Sequence, residues 1–192
     1  MGLKGDKTKQ CILNESSKLF AKYGFKNVTM QQICDKTGLS RGGLYRHYSS
    51  TGEIFEALME DLGSNQEEDF YSQMDKGISA KSIMNEALER MEKEMNEESS
   101  SLNYAIIEYT KECNNSYLKK GNERATTYWR NLIEYGVNRG ELACANIGEV
   151  VDMILYSYQG VQMYSQLMEL NNNVARNIIN SIKRMVYIDY EG

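Results

Sequence analysis

Residues 29–48 read T-M-Q-Q-I-C-D-K-T-G-L-S-R-G-G-L-Y-R-H-Y. Thr29 stands three residues before Gln32, the spacing of a capping box, so a helix is predicted to start there. Met30, Ile33 and Cys34 then share one face, as an amphipathic helix requires. Thr37-Gly38-Leu39 makes a turn in which Gly38 supplies backbone freedom and Leu39 brings the chain back inward. Ser40 is a good N-cap for a second helix whose clear apolar anchor is Leu44. That leaves Arg41, Gly42, Gly43, Tyr45, Arg46 and His47 to face outward or sideways. Two adjacent glycines cost a helix about 2 kcal/mol relative to alanines. A pure packing helix gains nothing from that cost, whereas a helix whose backbone comes close to another molecule does. The pattern is that of a helix-turn-helix, which lays its second helix in the major groove of duplex DNA. The plainer alternative is a loose surface turn.

The flanks extend the same unit. Ile12, Leu13, Ser16, Leu19, Phe20 and Tyr23 recur at helical spacing, which predicts a first helix over 7–23 stopped by Gly24. Phe25 and Val28 in the short connection plug a small three-helix core. Ser50 and Glu53 form a second capping box, and Ile54, Phe55, Leu58, Met59 and Leu62 mark the buried stripe of a fourth helix.

Residues 18–55, K-L-F-A-K-Y-G-F-K-N-V-T-M-Q-Q-I-C-D-K-T-G-L-S-R-G-G-L-Y-R-H-Y-S-S-T-G-E-I-F, resemble the DNA-binding domain of the TetR family of bacterial transcriptional regulators. The features that match are L-F-x-x-x-G-[FY] closing the first helix, T-x-x-x-I opening the second, the G-L-S turn, and L-Y-x-H-[FY] ending the third. The resemblance covers residues 7–62 and no motif beyond them. It implies an all-α chain with a three-helix DNA-binding domain, residues 1–50, followed by a helical ligand-binding and dimerisation domain, residues 51–192. One position departs from the family. Where many members carry a lysine shortly after L-Y-x-H-[FY], this chain has Thr51, whose hydroxyl and helix N-terminus offer a phosphate contact without the charge.

The residue types assign roles across the motif. Arg41 opens the second helix and suits a bidentate contact to guanine, and Gln31 suits a base edge or a phosphate. Tyr45, His47 and the hydroxyls of Thr29, Ser40 and Thr51 suit phosphates, which fix register without reading sequence. Gly42 and Gly43 allow close backbone approach. Charge agrees with this placement. The first fifty residues hold nine Lys/Arg against three acids, a net of +6, so with −5 overall the remainder carries −11. A basic end on an acidic body puts one end on phosphates and keeps the other off them. Alone, such asymmetry is also what an ordinary solvated face looks like.

The chain has no proline and little strand-like alternation, so the body reads as nearly all helix. Apolar spacing predicts helices over 53–75, 80–97, 101–113, 116–139, 149–170 and 174–189, with breaks at 97–100, 114–115, 140–148 and 171–173. Over 149–170, apolar residues from Val150 to Met168 cover almost the whole circumference, and Val174, Ile178, Ile179, Ile182, Met185 and Val186 make a wide stripe on the last helix. A helix apolar all round is buried on both sides. The simplest account packs this pair inward on its own domain and outward on a second copy, and the resemblance implies the same homodimer through residues 149–189. The alternative is a buried pair inside a monomer.

The body also concentrates tyrosines and methionines, whose polar-tipped rings and adaptable thioethers suit a cavity for flat or amphipathic molecules. The family resemblance implies such a cavity for a small organic effector. Met91, Tyr104, Tyr109, Trp129, Tyr156, Gln159 and Tyr164 are the candidate lining, with ordinary core packing as the alternative for each. The acidic body favours a neutral or cationic effector, and coupling between that cavity and the DNA-binding end predicts a repressor released from a palindromic operator.

Other classes find little support. His47 is the only histidine and lies in the recognition segment, so the body offers neither a Cys–His pair nor a histidine metal site. No phosphate-binding glycine loop or nucleophile elbow occurs, and an enzyme, a metal and a cofactor are not expected. A ligand-independent architectural DNA-binding protein would spread positive charge beyond the first fifty residues. Cys11, Cys34, Cys113 and Cys144 form no CxxC pair and read as reduced thiols. No stretch approaches the roughly twenty apolar residues of a membrane helix, and the N-terminus lacks an apolar signal region, so the expected location is the cytoplasm.

Overall fold

The computed structural model describes residues 3–96, 102–113, 116–165, 167–171 and 173–188, and their regular structure is all helix. Helices α1 Leu3–Tyr23, α2 Met30–Thr37, α3 Arg41–Tyr45, α4 Thr51–Asp75, α5 Ala80–Asn96, α6 Asn103–Glu112, α7 Ser116–Asn138, α8 Ile147–Tyr164 and α9 Val174–Val186 follow one another. The breaks expected at 97–100 and 114–115 lie outside the described residues.

The chain forms two compact units, residues 1–64 with 99–118, and residues 65–98 with 119–192. The boundary expected at residue 50 is therefore corrected in two ways. The start of α4 belongs with the head because Ile54, Phe55 and Leu58 are buried in the same core as Phe20, Ile33 and Leu44. So does α6, which adds Ala105 and Tyr109 to that core. A three-helix core of some fifty residues is small, and these additions enlarge the apolar area it removes from water.

In the head, Gly24 ends α1 as expected, with φ +75° and its N–H donating to the Phe20 carbonyl at 2.9 Å. Phe25 then drops into an aromatic cluster, its ring 5.4 Å from Phe55 and 4.9 Å from Tyr109. Phe20 meets Phe55 edge-on at 5.0 Å. The Tyr109 hydroxyl donates to the Glu56 carboxylate, and Tyr117 donates to the Glu56 carbonyl at 2.7 Å. Burial is the main reason the Tyr109 hydroxyl is pushed far up from its ordinary value, and the Glu56 contact adds to it. Tyr23 and Leu62, expected on buried stripes, are instead exposed at the stripe ends.

The second unit packs α5, α7, α8 and α9 with the end of α4. On α9, Ala175, Ile179, Ile182 and Val186 recur on one face and are buried with Ile83, Met84, Ala87 and Leu88 of α5. Glu94 on α5 accepts from the Tyr158 hydroxyl at 2.7 Å, and its carbonyl accepts from Gln162 Nε2 at 2.8 Å. Tyr187 donates to Asn85 at 2.6 Å.

Helix α8 stops at Tyr164, six residues short of the expected end. There the Ser165 hydroxyl donates to the Gln162 carbonyl at 3.1 Å, and the Tyr164 carbonyl accepts from both Leu167 and Met168, which closes a turn. The helix is apolar all round in sequence but two-faced in the fold. Val150, Val151, Ile154, Leu155 and Val161 are buried, while Met153, Tyr156, Met163 and Tyr164 are exposed.

Candidate nucleic-acid interface

The expected capping box opens α2. Gln32 N–H donates to the Thr29 hydroxyl at 3.3 Å, and Thr29 N–H donates back to Gln32 Oε1 at 2.7 Å. Ile33 and Cys34 are the buried face. Gly38, at φ +70°, closes the helix through an N–H bond to the Cys34 carbonyl at 2.9 Å. Ser40 then caps α3 by accepting the Gly43 N–H at 3.1 Å.

Helix α3 has five residues and is held to the head by Leu44, fully buried, and Tyr48 just beyond it. Arg41, Gly42, Tyr45 and Arg46 are exposed and His47 is half-buried. Among the described residues, the side chains of Arg41, Tyr45, Arg46 and His47 have no hydrogen-bond or ion-pair partner. Two guanidiniums, a phenol and an imidazole are thus displayed together, the donor set that phosphates and guanine edges accept. Arg46 belongs in this group; its signal was legible as an outward position on the same helix.

The other candidates differ in readiness. Gln31 is exposed, but its Nε2 donates to Asp35 Oδ1 at 2.9 Å, so a base contact requires exchanging that partner. The Thr29 and Ser40 hydroxyls already serve as caps and keep spare bonding capacity. Thr51 is half-buried at the first turn of α4. The expectation for Gly43 is corrected: it is buried, not presented outward. A methyl group there would lie 3.2 Å from Ser40 Oγ and 3.8 Å from Leu39 Cβ, so Gly43 is small for the turn's own packing. Gly42 has nothing within 4 Å of such a methyl and remains the position of open backbone.

The second capping box is shifted by one residue. Glu53 N–H donates to the Ser50 hydroxyl at 3.1 Å, but the Glu53 carboxylate reaches past Ser50 and accepts from Ser49 N–H at 2.6 Å and the Ser49 hydroxyl at 2.8 Å. These two bonds, the backbone one first, hold the Glu53 carboxyl below its usual range. Burial raises the neighbouring Tyr48 hydroxyl above its ordinary value, with Glu53 and Asp61 adding to it.

Comparison with known proteins agrees with this geometry. The sequence profile of the bacterial regulatory proteins of the tetR family matches residues 12–58, the span from the first helix to Leu58. The HTH-type transcriptional regulator YfiR of Bacillus subtilis (strain 168) is 25% identical over 147 residues, a match covering 71% of this chain and 68% of that one. Residues 12–58 are therefore a domain of the tetR family of bacterial regulatory proteins. The chain's fold over nearly the full length is that of a TetR transcriptional regulator from Chloroflexus aurantiacus J-10-FL (TM-score 0.73, 17% identity, 97% of this chain and 99% of that one). It is also that of NalD of Pseudomonas aeruginosa (TM-score 0.63, 17% identity, 96% and 99%). Among the described residues, no group of three metal-ligating side chains occurs and no helix is long and apolar enough to cross a membrane.

The candidate effector lining is divided between the two units. Tyr104 and Tyr109 lie in the head unit, Tyr104 exposed and Tyr109 in its core. Met91 and Trp129 are buried in the core of the second unit, and Tyr156, Gln159 and Tyr164 are exposed along α8. On α6 the helical period separates Tyr104 from Tyr109, which lie five positions apart and point in different directions. In the second unit, an enclosed crevice of about 10 Å³, room for about one water, lies against Phe70, Tyr128, Asp69 and Glu86. A shallow groove of about 290 Å³ runs past Tyr71, Met74, Asn131 and Tyr135.

Proposed function

We propose that this regulator is a repressor that binds a palindromic operator as a homodimer and leaves it when a small organic molecule binds the second unit. The observation that carries the DNA reading is the free donor set on α3 and the turn that follows it: Arg41, Tyr45, Arg46 and His47, presented on a segment held to the head by Leu44 and Tyr48. Arg41 is assigned to a guanine edge and Gln31 to a base or phosphate. Tyr45, His47, Thr29, Ser40 and Thr51 are assigned to phosphates, and Gly42 to close backbone approach. The homodimer reading rests on Met153, Tyr156, Met163 and Tyr164, exposed on α8, with Met185 exposed on α9. A patch of that kind costs free energy in water and is relieved by a second copy.

The effector reading is supported by likeness and by composition. NalD is a secondary repressor of a multidrug efflux pump. The acidic body of this chain, −11 beyond residue 50, favours a neutral or cationic molecule. Helix α4 supplies residues to both units, so its displacement is the proposed route of release. Coupling of about 1–3 kcal/mol lowers DNA affinity roughly 5–150-fold. The site of action is the cytoplasm, where the operator is.

Selection of duplexes from a randomised pool tests the DNA reading, and the expected product is a palindrome whose half-sites lie one or more helical turns apart. Enrichment of an asymmetric single site, or of none, overturns it. Screening neutral and cationic aromatic compounds by thermal shift and by release of the selected operator tests the effector. Compounds that raise the melting temperature by several degrees yet leave operator affinity unchanged refute the coupling.

A further inference from the structure

The head contains a buried carboxylate that the DNA-reading helices do not supply. Glu108 on α6 is 7% exposed. Its Oε2 accepts the N–H of Lys26 at 3.2 Å, in the connection between α1 and α2. The Tyr104 hydroxyl, one turn earlier on α6, also donates to it. One turn later, Glu112 pairs with Lys26 Nζ at 2.6 Å. The connection is shaped to receive this carboxylate. Gly24 adopts φ +75°, and a methyl group there would lie 2.5 Å from Glu108 Oε2 and 3.1 Å from the Tyr104 ring. Glycine is required twice, for the backbone angle and for the close approach.

We infer that Glu108 is a positioning residue for DNA recognition: by holding the Lys26 amide from α6, it sets where α2 starts and so where the helix-turn-helix lies on its site. The inference rests on the DNA reading above. Three residues beyond Lys26, Thr29 caps α2, which carries Gln31 and leads through Gly38 into α3. The apolar anchors of the connection are the Phe25 ring and Val28, and Glu108 fixes the peptide next to the ring. A ring alone can rotate in place; a ring and a directed hydrogen bond on adjacent residues define an orientation. The choice of a carboxylate is otherwise unfavourable. Its burial carries a desolvation cost that an apolar residue of the same volume avoids. Its charge also opposes phosphates approaching the same unit. Neither stability nor general attraction to DNA accounts for it, whereas orientation does.

The test compares Glu108→Met, which keeps volume and removes the acceptor, with Glu108→Gln, which keeps an acceptor oxygen. The probes are a duplex selected by the wild-type protein from a randomised pool and a scrambled duplex of equal length, both read by fluorescence anisotropy beside thermal melts. Glu108→Met should melt no lower than wild type, because exposed Lys26 can give its N–H to water. It should nevertheless lose about tenfold of its preference for the selected duplex, the scale of one charge-assisted hydrogen bond. Glu108→Gln should stay within about twofold of wild type, being able to accept the same donors. A Met variant with wild-type preference overturns the inference, as does a Gln variant that loses as much as the Met variant. Hydrogen exchange on the unaltered protein provides a reading independent of variant folding: the Lys26 amide should be protected although its residue is exposed, and exchange at the rate of an open loop overturns the inference. A wild-type protein that enriches no sequence brings down the DNA reading itself, an outcome distinct from these.

Discussion

The Gly43 amide donates to the Ser40 hydroxyl at 3.1 Å, and a methyl group added to Gly43 would sit 3.2 Å from that same oxygen. The cap and the missing side chain are thus one arrangement, and the two glycines of α3 separate by function. Gly42→Ala should stabilise the free protein by up to about 1 kcal/mol, because a helical alanine replaces an exposed glycine with open space around it. The same change should weaken operator binding, where the backbone needs that space. Gly43→Ala should gain little or lose stability, because Ser40 must yield. Thermal melts with anisotropy titrations separate the two; equal operator affinity for Gly42→Ala and wild type would remove the close-approach role.

Arg41 is exposed and makes no internal ion pair or hydrogen bond among the described residues, so replacing it leaves the fold intact. Arg41→Ala should cost about 1–3 kcal/mol on the selected operator and little on scrambled DNA. Equal losses on both duplexes would reassign Arg41 to phosphate.

Glu53 gives a pH dependence whose sign is fixed by its partners. Hydrogen bonds from Ser49 depress its carboxyl below the ordinary 4.5, so the ionised form is favoured in the folded state. Its contribution is present above that value and declines as the pH falls through the folded value. Urea midpoints measured from pH 4.5 downward should therefore fall more steeply for wild type than for Glu53→Gln, which has no charge to lose. Parallel curves would show that the Ser49 contacts do not discriminate between the two protonation states.

Tyr156 and Met163 are exposed on α8, at 62% and 51%. Sedimentation of the wild type at micromolar concentration should give a dimer, and Tyr156→Glu with Met163→Glu should give a folded monomer with weaker operator binding. A wild-type monomer, or a double variant that remains dimeric, would place the interface elsewhere.

The head was legible in the sequence because its signals are local. Thr29 with Gln32, Gly38, Ser40 and Gly24 each report their own geometry within a few residues, and each stands where its spacing placed it. Gly43 was misread because glycine looks the same whether space is needed outside a helix or inside a turn. The contribution of α6 was not legible at all. Glu108 and Gly24 meet across more than eighty positions, and nothing in either neighbourhood marks the other. The end of α8 was hidden too, since Leu167 and Met168 continue the apolar pattern beyond the point where Ser165 turns the chain. Effector-lining residues were the least accessible, because tyrosine composition carries no information on direction.

The brevity of α3 has a consequence for how this chain, acting as proposed, can diversify. Its attachment rests on Leu44 and Tyr48, while Arg41, Tyr45 and Arg46 take no part in holding the head together. Loss of Leu44 to alanine would cost about 2–5 kcal/mol, but the three displayed positions are nearly free of that constraint. Target preference and foldability are therefore written in different letters. A gene duplicate can drift to a new promoter through those positions alone, and a library randomised there would yield mostly folded proteins with altered addresses.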